Sequence, residues 1–294
     1  IEGAPGTLFK NSGNSRFFNL GANAALTFNN LRFTGGKADK GGALYLGGAN
    51  AAIKCDGCVF DGNLGSAVYL KNSSASAWFN SCVFTGNNST PENGQYIGRA
   101  VLTVMGAATF FNNCTFGEQV ASEKCFGDVE IRSGKLIFAN STMIGSASGG
   151  IFRVHNGGGD ALYLNSLVIN KQDPKAINYN STNGSAFISR YVISGTPQNK
   201  YKTYIDGTPS DTDIAYVKYA DIGSPAFDET DLVYKWDGKL TGYDKRISAT
   251  DAAEQIKTSS PKFHSWLESI NALDKDQLGN PRSPNNRQGS WCGN

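Results

Sequence analysis

The sequence predicts an all-β chain built as a parallel solenoid, with about seven recognisable coils and a C-terminal capping region that contains a short helix. Three observations predict it. Seven segments share one template, each carries a bend-forming pair at the same place, and five are followed by a glycine turn leading into another short strand.

The template reads apolar, one residue, large apolar, two small polar residues, then apolar-x-apolar. Its copies are LTFNNLRF (26–33), IKCDGCVF (53–60), AWFNSCVF (77–84), TFFNNCTF (109–116), LIFANSTM (136–143), LYLNSLVI (162–169) and AFISRYVI (186–193). The last position recurs at intervals of 27, 24, 32, 27, 26 and 24 residues. Alternation turns three columns inward. The first is Phe28, Cys55, Phe79, Phe111, Phe138, Leu164 and Ile188. The second is Leu31, Cys58, Cys82, Cys114, Ser141, Leu167 and Tyr191, and the third is Phe33, Phe60, Phe84, Phe116, Met143, Ile169 and Ile193.

Between the first two columns sit pairs such as Asn29-Asn30, Asp56-Gly57 and Asn112-Asn113. Asn, Asp and Gly tolerate left-handed backbone, so each pair is a bend between two strands. Stacked asparagines can also hydrogen-bond in a ladder. The glycine turns are GGALYL (41–46), GSAVYL (65–70), GRAVLTV (98–104), GDVEIR (127–132) and GGIFRV (149–154). Each repeat thus supplies about three short strands, and coils stacked at ~4.8 Å enclose a continuous apolar interior. The repeats are too short for propeller blades. They lack the L-x-x-L-x-L of leucine-rich repeats, and a sandwich would not give registered columns.

Composition agrees. Of 294 residues 35 are glycine, 39% are hydrophobic and only 18% are charged. Collagen is excluded by 9 prolines and the lack of a triplet period, and the hydrophobic content argues against disorder. No apolar run is long enough to span a membrane as a helix. A net charge of +2 gives no case for nucleic acid. The chain opens at Ile1 with no charged or apolar leader, and so reads as a mature or trimmed product.

Phe60-Asp61-Gly62-Asn63 and Phe84-Thr85-Gly86-Asn87, with Gly41-Gly42-Ala43-Leu44, resemble the FxxN/GGA(I/L) repeats of bacterial polymorphic outer-membrane proteins. The resemblance covers roughly residues 15–195 and implies a right-handed, single-stranded parallel β-helix of the pectate-lyase-like type. The D-x-x-G-N-x-R run Asp276–Arg282 is similar to the ending of secreted β-helix proteins of gut Bacteroidetes, although Gly289–Gly293 departs from their usual continuation. The implied location is secreted or at the outer cell envelope.

The expected division is 1–195 for the β-helix and 196–294 for an irregular β/helix cap packed on it. Asparagine is absent from Lys200 through Ile270, and the columns stop. Ile214–Tyr219 alternates as a strand, and Val233–Leu240 reads as a hairpin around Asp237-Gly238. Ser260-Pro261 starts a helix with apolar face Phe263, Trp266, Leu267 and Ile270, packing on or capping the open end of the solenoid. His264 is expected at its surface.

Cys55-Asp56-Gly57-Cys58 lacks the second pair a zinc site needs, so Cys58, Cys82 and Cys114 read as a core ladder. A bridge between neighbouring coils stays possible, as does pairing of Cys125 with Cys292. No cofactor is expected. Calcium at Asp274/Asp276 or at Asn156–Asp160 has only partial ligand patterns, and the latter reads better as a turn between coils.

Polysaccharide lyases and hydrolases of this fold work on an outer sheet face, and none of their sequence signatures is present. The best cluster comes from alternation about an inward column of Ala100, Val129 and Phe152, which turns six charged residues outward. Glu130, Arg132 and His155 are the candidate acid/base residues, and Arg99, Asp128 and Arg153 the candidate substrate contacts. A cross-strand salt-bridge ladder accounts for the same residues. Tyr45 and Tyr69 form either a sugar-stacking platform or a plain aromatic ladder. Two functions follow. One is an adhesin or glycan-binding surface protein whose partner is a polysaccharide or cell-surface glycan. The other is a lyase or hydrolase acting on an acidic polysaccharide. A structural spacer is a third reading.

Overall fold

The computed structural model describes residues 1–91, 93–94, 98–103, 107–120, 127–132, 134–145, 151–154, 159–171, 177–179, 187–190, 192–194, 204–205, 208–209, 214–216, 226–235 and 248–282. They form a parallel β-solenoid. One sheet of seven parallel strands runs from Phe18–Leu20 through Leu44–Leu46, Val68–Leu70, Val101–Thr103, Val129–Ile131 and Phe152–Val154 to Ile177–Tyr179. A larger parallel sheet begins with Glu2–Lys10, which pairs with Ala25–Thr34; the latter is continuous through the bend, and above it the sheet divides into two ladders. About five turns are continuous, slightly fewer than the seven segments predict. Shorter strands extend the ladders as far as Ile214–Tyr216, which pairs with Val192–Ser194.

The predicted bend is met at each coil. Asn30, Gly57, Ser81, Asn113, Asn140 and Asn165 all hold positive φ, between 46° and 62°. Their neighbours form the expected ladder: Asn140 Nδ2 donates to Asn112 Oδ1, Asn112 to Asn80, and Asn80 to Asp56, at 2.9, 2.8 and 2.7 Å. The FxxN asparagines build a second one inside the turn. Asn63 Nδ2 donates to Asn87 Oδ1, and Asn87 Nδ2 to Gln119 Oε1, with all three side chains buried. Glycine is required at the other turn. Gly65 has φ +94°, and a Cβ there would stand 1.9 Å from the Ala38 carbonyl oxygen.

The interior is aromatic. Phe33, Phe60, Phe84 and Phe116 stack with centroids 5.1, 4.9 and 4.7 Å apart and interplanar angles of 15° or less. Cys55, Cys58, Cys82 and Cys114 are free and buried. Burial pushes the Cys55 and Cys82 thiols well above their ordinary range, and Cys82 and Cys114 donate to main-chain carbonyls. They are core residues; Cys125 and Cys292 lie outside the described residues.

The sixth segment corrects the predicted register. Phe138 pairs with Tyr163, not Leu164, and Met143 with Val168, not Ile169. The seventh is displaced the other way, with Ser189 rather than Ile188 opposite Tyr163 and Ser194 rather than Ile193 opposite Val168. The reason is that both faces are buried here. Leu162 and Leu164 point away from the solenoid interior into a second apolar cluster, so period-two alternation cannot say which face is inside.

That second cluster is made by two helices, α1 (Ala249–Ser259) and α2 (Pro261–Ser269). The N-cap Ser260, Pro261 at the start and the buried Phe263, Trp266 and Leu267 agree with the sequence reading of α2; α1 is additional. The helices pack against the flank of the larger sheet, on Phe110, Ile137, Ala139, Leu162 and Leu164, rather than on the end of the solenoid. His264 is 6% exposed, with Nδ1 3.3 Å from Glu268, not a surface residue. Val233–Lys235 is a strand, but it pairs antiparallel with Ala226–Asp228 through residues 229–232; Asp237-Gly238 lies outside the described residues.

The D-x-x-G-N-x-R run is a clamp. Asp276 Oδ1 accepts from the Leu278 and Asn280 amides at 2.9 and 2.8 Å. Arg282 donates to the Lys275 carbonyl and to Asn113 Oδ1, while Asn112 Nδ2 donates to the Ala272 carbonyl. The segment thereby pins the chain to the asparagine bends of the fourth coil.

Candidate functional site

The predicted charge cluster sits on and beside the seven-stranded sheet. Its register differs from the expected one: Val101, not Ala100, aligns with Val129 and Phe152. The alanine column Ala43, Ala67 and Ala100 is continued by Asp128 and Ile151 through the main-chain hydrogen bonds Ala43 N to Ala67 O, Ala100 N to Asp128 O and Asp128 N to Ile151 O. Asp128 therefore stands where the repeat places a small buried residue.

Arg99 and Asp128 are not on an open face. Arg99 is 0% and Asp128 1% exposed. Arg99 Nε donates to Asp128 Oδ1 at 2.6 Å, and Nη1 donates to the Val120 carbonyl. Burial pushes the Asp128 carboxyl up to about 6, with Arg99 pulling the other way.

Glu130 and Arg153 pair across neighbouring strands, as alternation predicts. Glu130 is covered at this height, whereas the Arg153 side chain keeps 17% exposure. Glu130 is 0% exposed, and Leu102 beside it on the coil below is 1% exposed. Arg132 Nε donates to Glu130 Oε1 at 2.8 Å, and Arg153 Nη1 lies 3.8 Å from Oε2. One carboxylate thus holds two guanidinium groups. His155 lies outside the described residues. Among the described residues no group of three His, Cys, Asp or Glu side chains stands together as a metal site.

Lower on the same sheet the face opens. Tyr45 and Tyr69 stack on adjacent coils with centroids 5.4 Å apart and 29° between planes. The Arg16 guanidinium lies 4.4 Å from the Tyr45 centroid. Arg16, Tyr45 and Tyr69 therefore stack along the solenoid axis, with each Tyr45 ring face already occupied.

The arrangement defines the class of the molecule as a parallel β-solenoid whose most charged sheet position has buried carboxylates paired to guanidinium groups, of which Arg132 and Arg153 stay partly exposed. Comparison with protein-family models, with curated proteins and with solved structures finds no match to the chain. The β-solenoid assignment therefore rests on the structure, and the FxxN and D-x-x-G-N-x-R resemblances on their own residues.

Proposed function

We propose that the protein is a secreted or cell-surface β-helix that binds glycans without transforming them, in the manner of an adhesin. One observation carries the reading. The carboxylates best placed for acid/base work, Glu130 and Asp128, are at most 1% exposed and already engaged by Arg132, Arg153 and Arg99. A general acid or base must reach the substrate proton directly or through one water. The β-helix fold is compatible with the binding role, and its long stacked faces suit an extended partner.

The test exposes the whole chain to an array of host, bacterial and plant glycans and to soluble acidic polysaccharides, and assays the same polymers for cleavage. Retention with no new reducing ends or unsaturated products is expected. Products would establish instead the lyase or hydrolase reading, and their loss in Arg132→Ala and His155→Ala would then place those residues, with Glu130, in acid/base roles and Arg99, Asp128 and Arg153 on the substrate. Blank arrays would defeat the binding reading.

A further inference from the structure

The outward column of the larger sheet changes character along the solenoid. Reading up the coils it runs Thr27, Lys54, Trp78, Phe110, Ile137 and Leu162. From Phe110 upward these residues are buried under the helices. Trp78 is only half-buried, because it lies where the helical cover ends. There the sheet and α2 leave an open cleft of about 500 Å³, lined by Lys54, Trp78, Pro261, Lys262, Ser265, Trp266 and Ser269. That volume falls within the ~300–1,000 Å³ of small-ligand sites.

Its chemistry is specific. Trp78 and Trp266 stand with ring centroids 5.9 Å apart and 44° between planes; Trp266 is 8% exposed and Trp78 half-buried, so each offers the cleft only part of its indole. Indoles offer apolar, polarisable surface to the C–H faces of a pyranose, while serine hydroxyls serve its hydroxyls. Among the described residues no carboxylate lines the cleft, whereas two ammonium groups do. Lys54 Nζ is held 4.8 Å from the Trp78 centroid by cation–π attraction. Neither Lys54 nor Lys262 has a carboxylate partner among the described residues. A cation already placed over an aromatic wall and left without a counter-ion is complementary to an anion on the ligand.

We infer that this cleft binds an acidic oligosaccharide, with the C–H groups of a sugar against the parts of Trp78 and Trp266 that remain open and its anionic group between Lys54 and Lys262. The inference rests on the glycan-binding reading and adds to it the location and charge of the ligand.

The experiment titrates the whole chain, by tryptophan fluorescence and calorimetry, with three matched probes. These are a β-1,4-glucose hexasaccharide, the same chain with C6 oxidised to carboxylates, and its 6-O-sulfated form. The anionic probes are expected to bind at least tenfold more tightly than the neutral one, and the better of the two identifies the anion. The double substitution Lys54→Gln/Lys262→Gln, on side chains outside both cores, is expected to remove that advantage while lowering the melting temperature by no more than about 1–4 °C, the share of the lost cation–π contact. Ser265→Tyr, which fills the cleft from an exposed position, is expected to block all three probes. Equal binding of neutral and anionic probes overturns the inference, as does an anionic preference that survives the double substitution. If neutral glycans are retained on the array while the cleft variants change nothing, the glycan-binding reading stands and this site falls. If no glycan is retained at all, both fall.

Discussion

The lower coils, residues 18–85, and the upper coils, residues 101–170, are built from one repeat but meet different surroundings. In the lower coils the sheets alternate a buried face with a half-open one: Ile53 and Cys55 are sealed, while Ala52, Lys54 and Asp56 are partly exposed. In the upper coils both faces are buried. Leu136 and Phe138 point into the solenoid, and Ile137 and Ala139 into the helix contact. The same backbone is thus a one-sided surface below and an internal wall above. Charge follows this division: Arg32–Asp61 lies at the surface, and Arg99–Asp128 has no solvent.

Breaking these two ion pairs is the strongest test of that contrast. Arg99→Ala leaves Asp128 buried without its partner, and about 3–5 kcal/mol of stability should be lost in denaturant unfolding. Arg32→Ala removes a bidentate but 45% exposed guanidinium, and less than about 1 kcal/mol should be lost. Similar losses would mean that the upper face is wet. The pair also has a pH signature. The Asp128 carboxyl rises from 3.8 to about 6 on folding, so between those values the folded chain binds more protons than the unfolded chain. Its contribution is therefore complete below about 4 and is lost as the pH rises through 6. The difference in stability between the protein and Asp128→Asn should fall across that window and be flat above it. A difference that rises with pH there would contradict the burial of this carboxyl.

The same contrast explains what the sequence made legible. The three inward columns were readable as far as Met143, because outward positions such as Arg32, Lys54 and Asp56 are polar and mark the other face. The bends were readable because Asn and Gly are the residues that accept positive φ. The sixth register slipped because Leu162, Tyr163 and Leu164 are all apolar, and alternation loses its reference when helices cover the second face. Two signals would have fixed it. One is the outward column itself, which turns apolar at Trp78 and Phe110 and so announces a cover. The other is the left-handed column, since placing Asn165 above the bend residues Asn113 and Asn140 sets Tyr163 on Phe138. The charge cluster was half legible. Strand alternation paired Glu130 with Arg153, but nothing in GRAV and GDVE says that Asp128 replaces an alanine. The cleft beside α2 was not legible, because it joins residues 54 and 78 to residues 261–269 across a contact that no local pattern encodes.

A smaller effect separates the two regions at the tail. Arg282 is 9% exposed and reaches Asn113 and the Asn140 carbonyl of the upper coils. Arg282→Ala should cost about 1.5–3 kcal/mol, the usual size for hydrogen bonds made by a charged group. Hydrogen exchange at 270–282 should quicken together with the asparagine bends at 112–113 and 140, while the bend at Gly57 stays protected. Uniform loosening of all the bends would mean that the clamp holds the whole solenoid rather than its covered half.

The smallest effect lies in the helix caps, and it asks what holds the cover in place. Ser248 accepts from the Asp251 amide at 3.0 Å at an exposed helix start, and Ser260 accepts from Phe263 at the longer 3.4 Å. Serine caps contribute about 0.5–2 kcal/mol. Ser248→Ala should fall near 1 kcal/mol and Ser260→Ala at the lower end, because Phe263 and Leu267 are already fixed at 0% exposure against the sheet. If Ser260→Ala proves the more costly, α2 is held by its own start. The apolar column running up from Trp78 would then be a consequence of the helix and not what recruits it. If it proves the cheaper, packing on Phe110, Ile137 and Leu162 is what turns the open face of the lower coils into the closed wall of the upper ones.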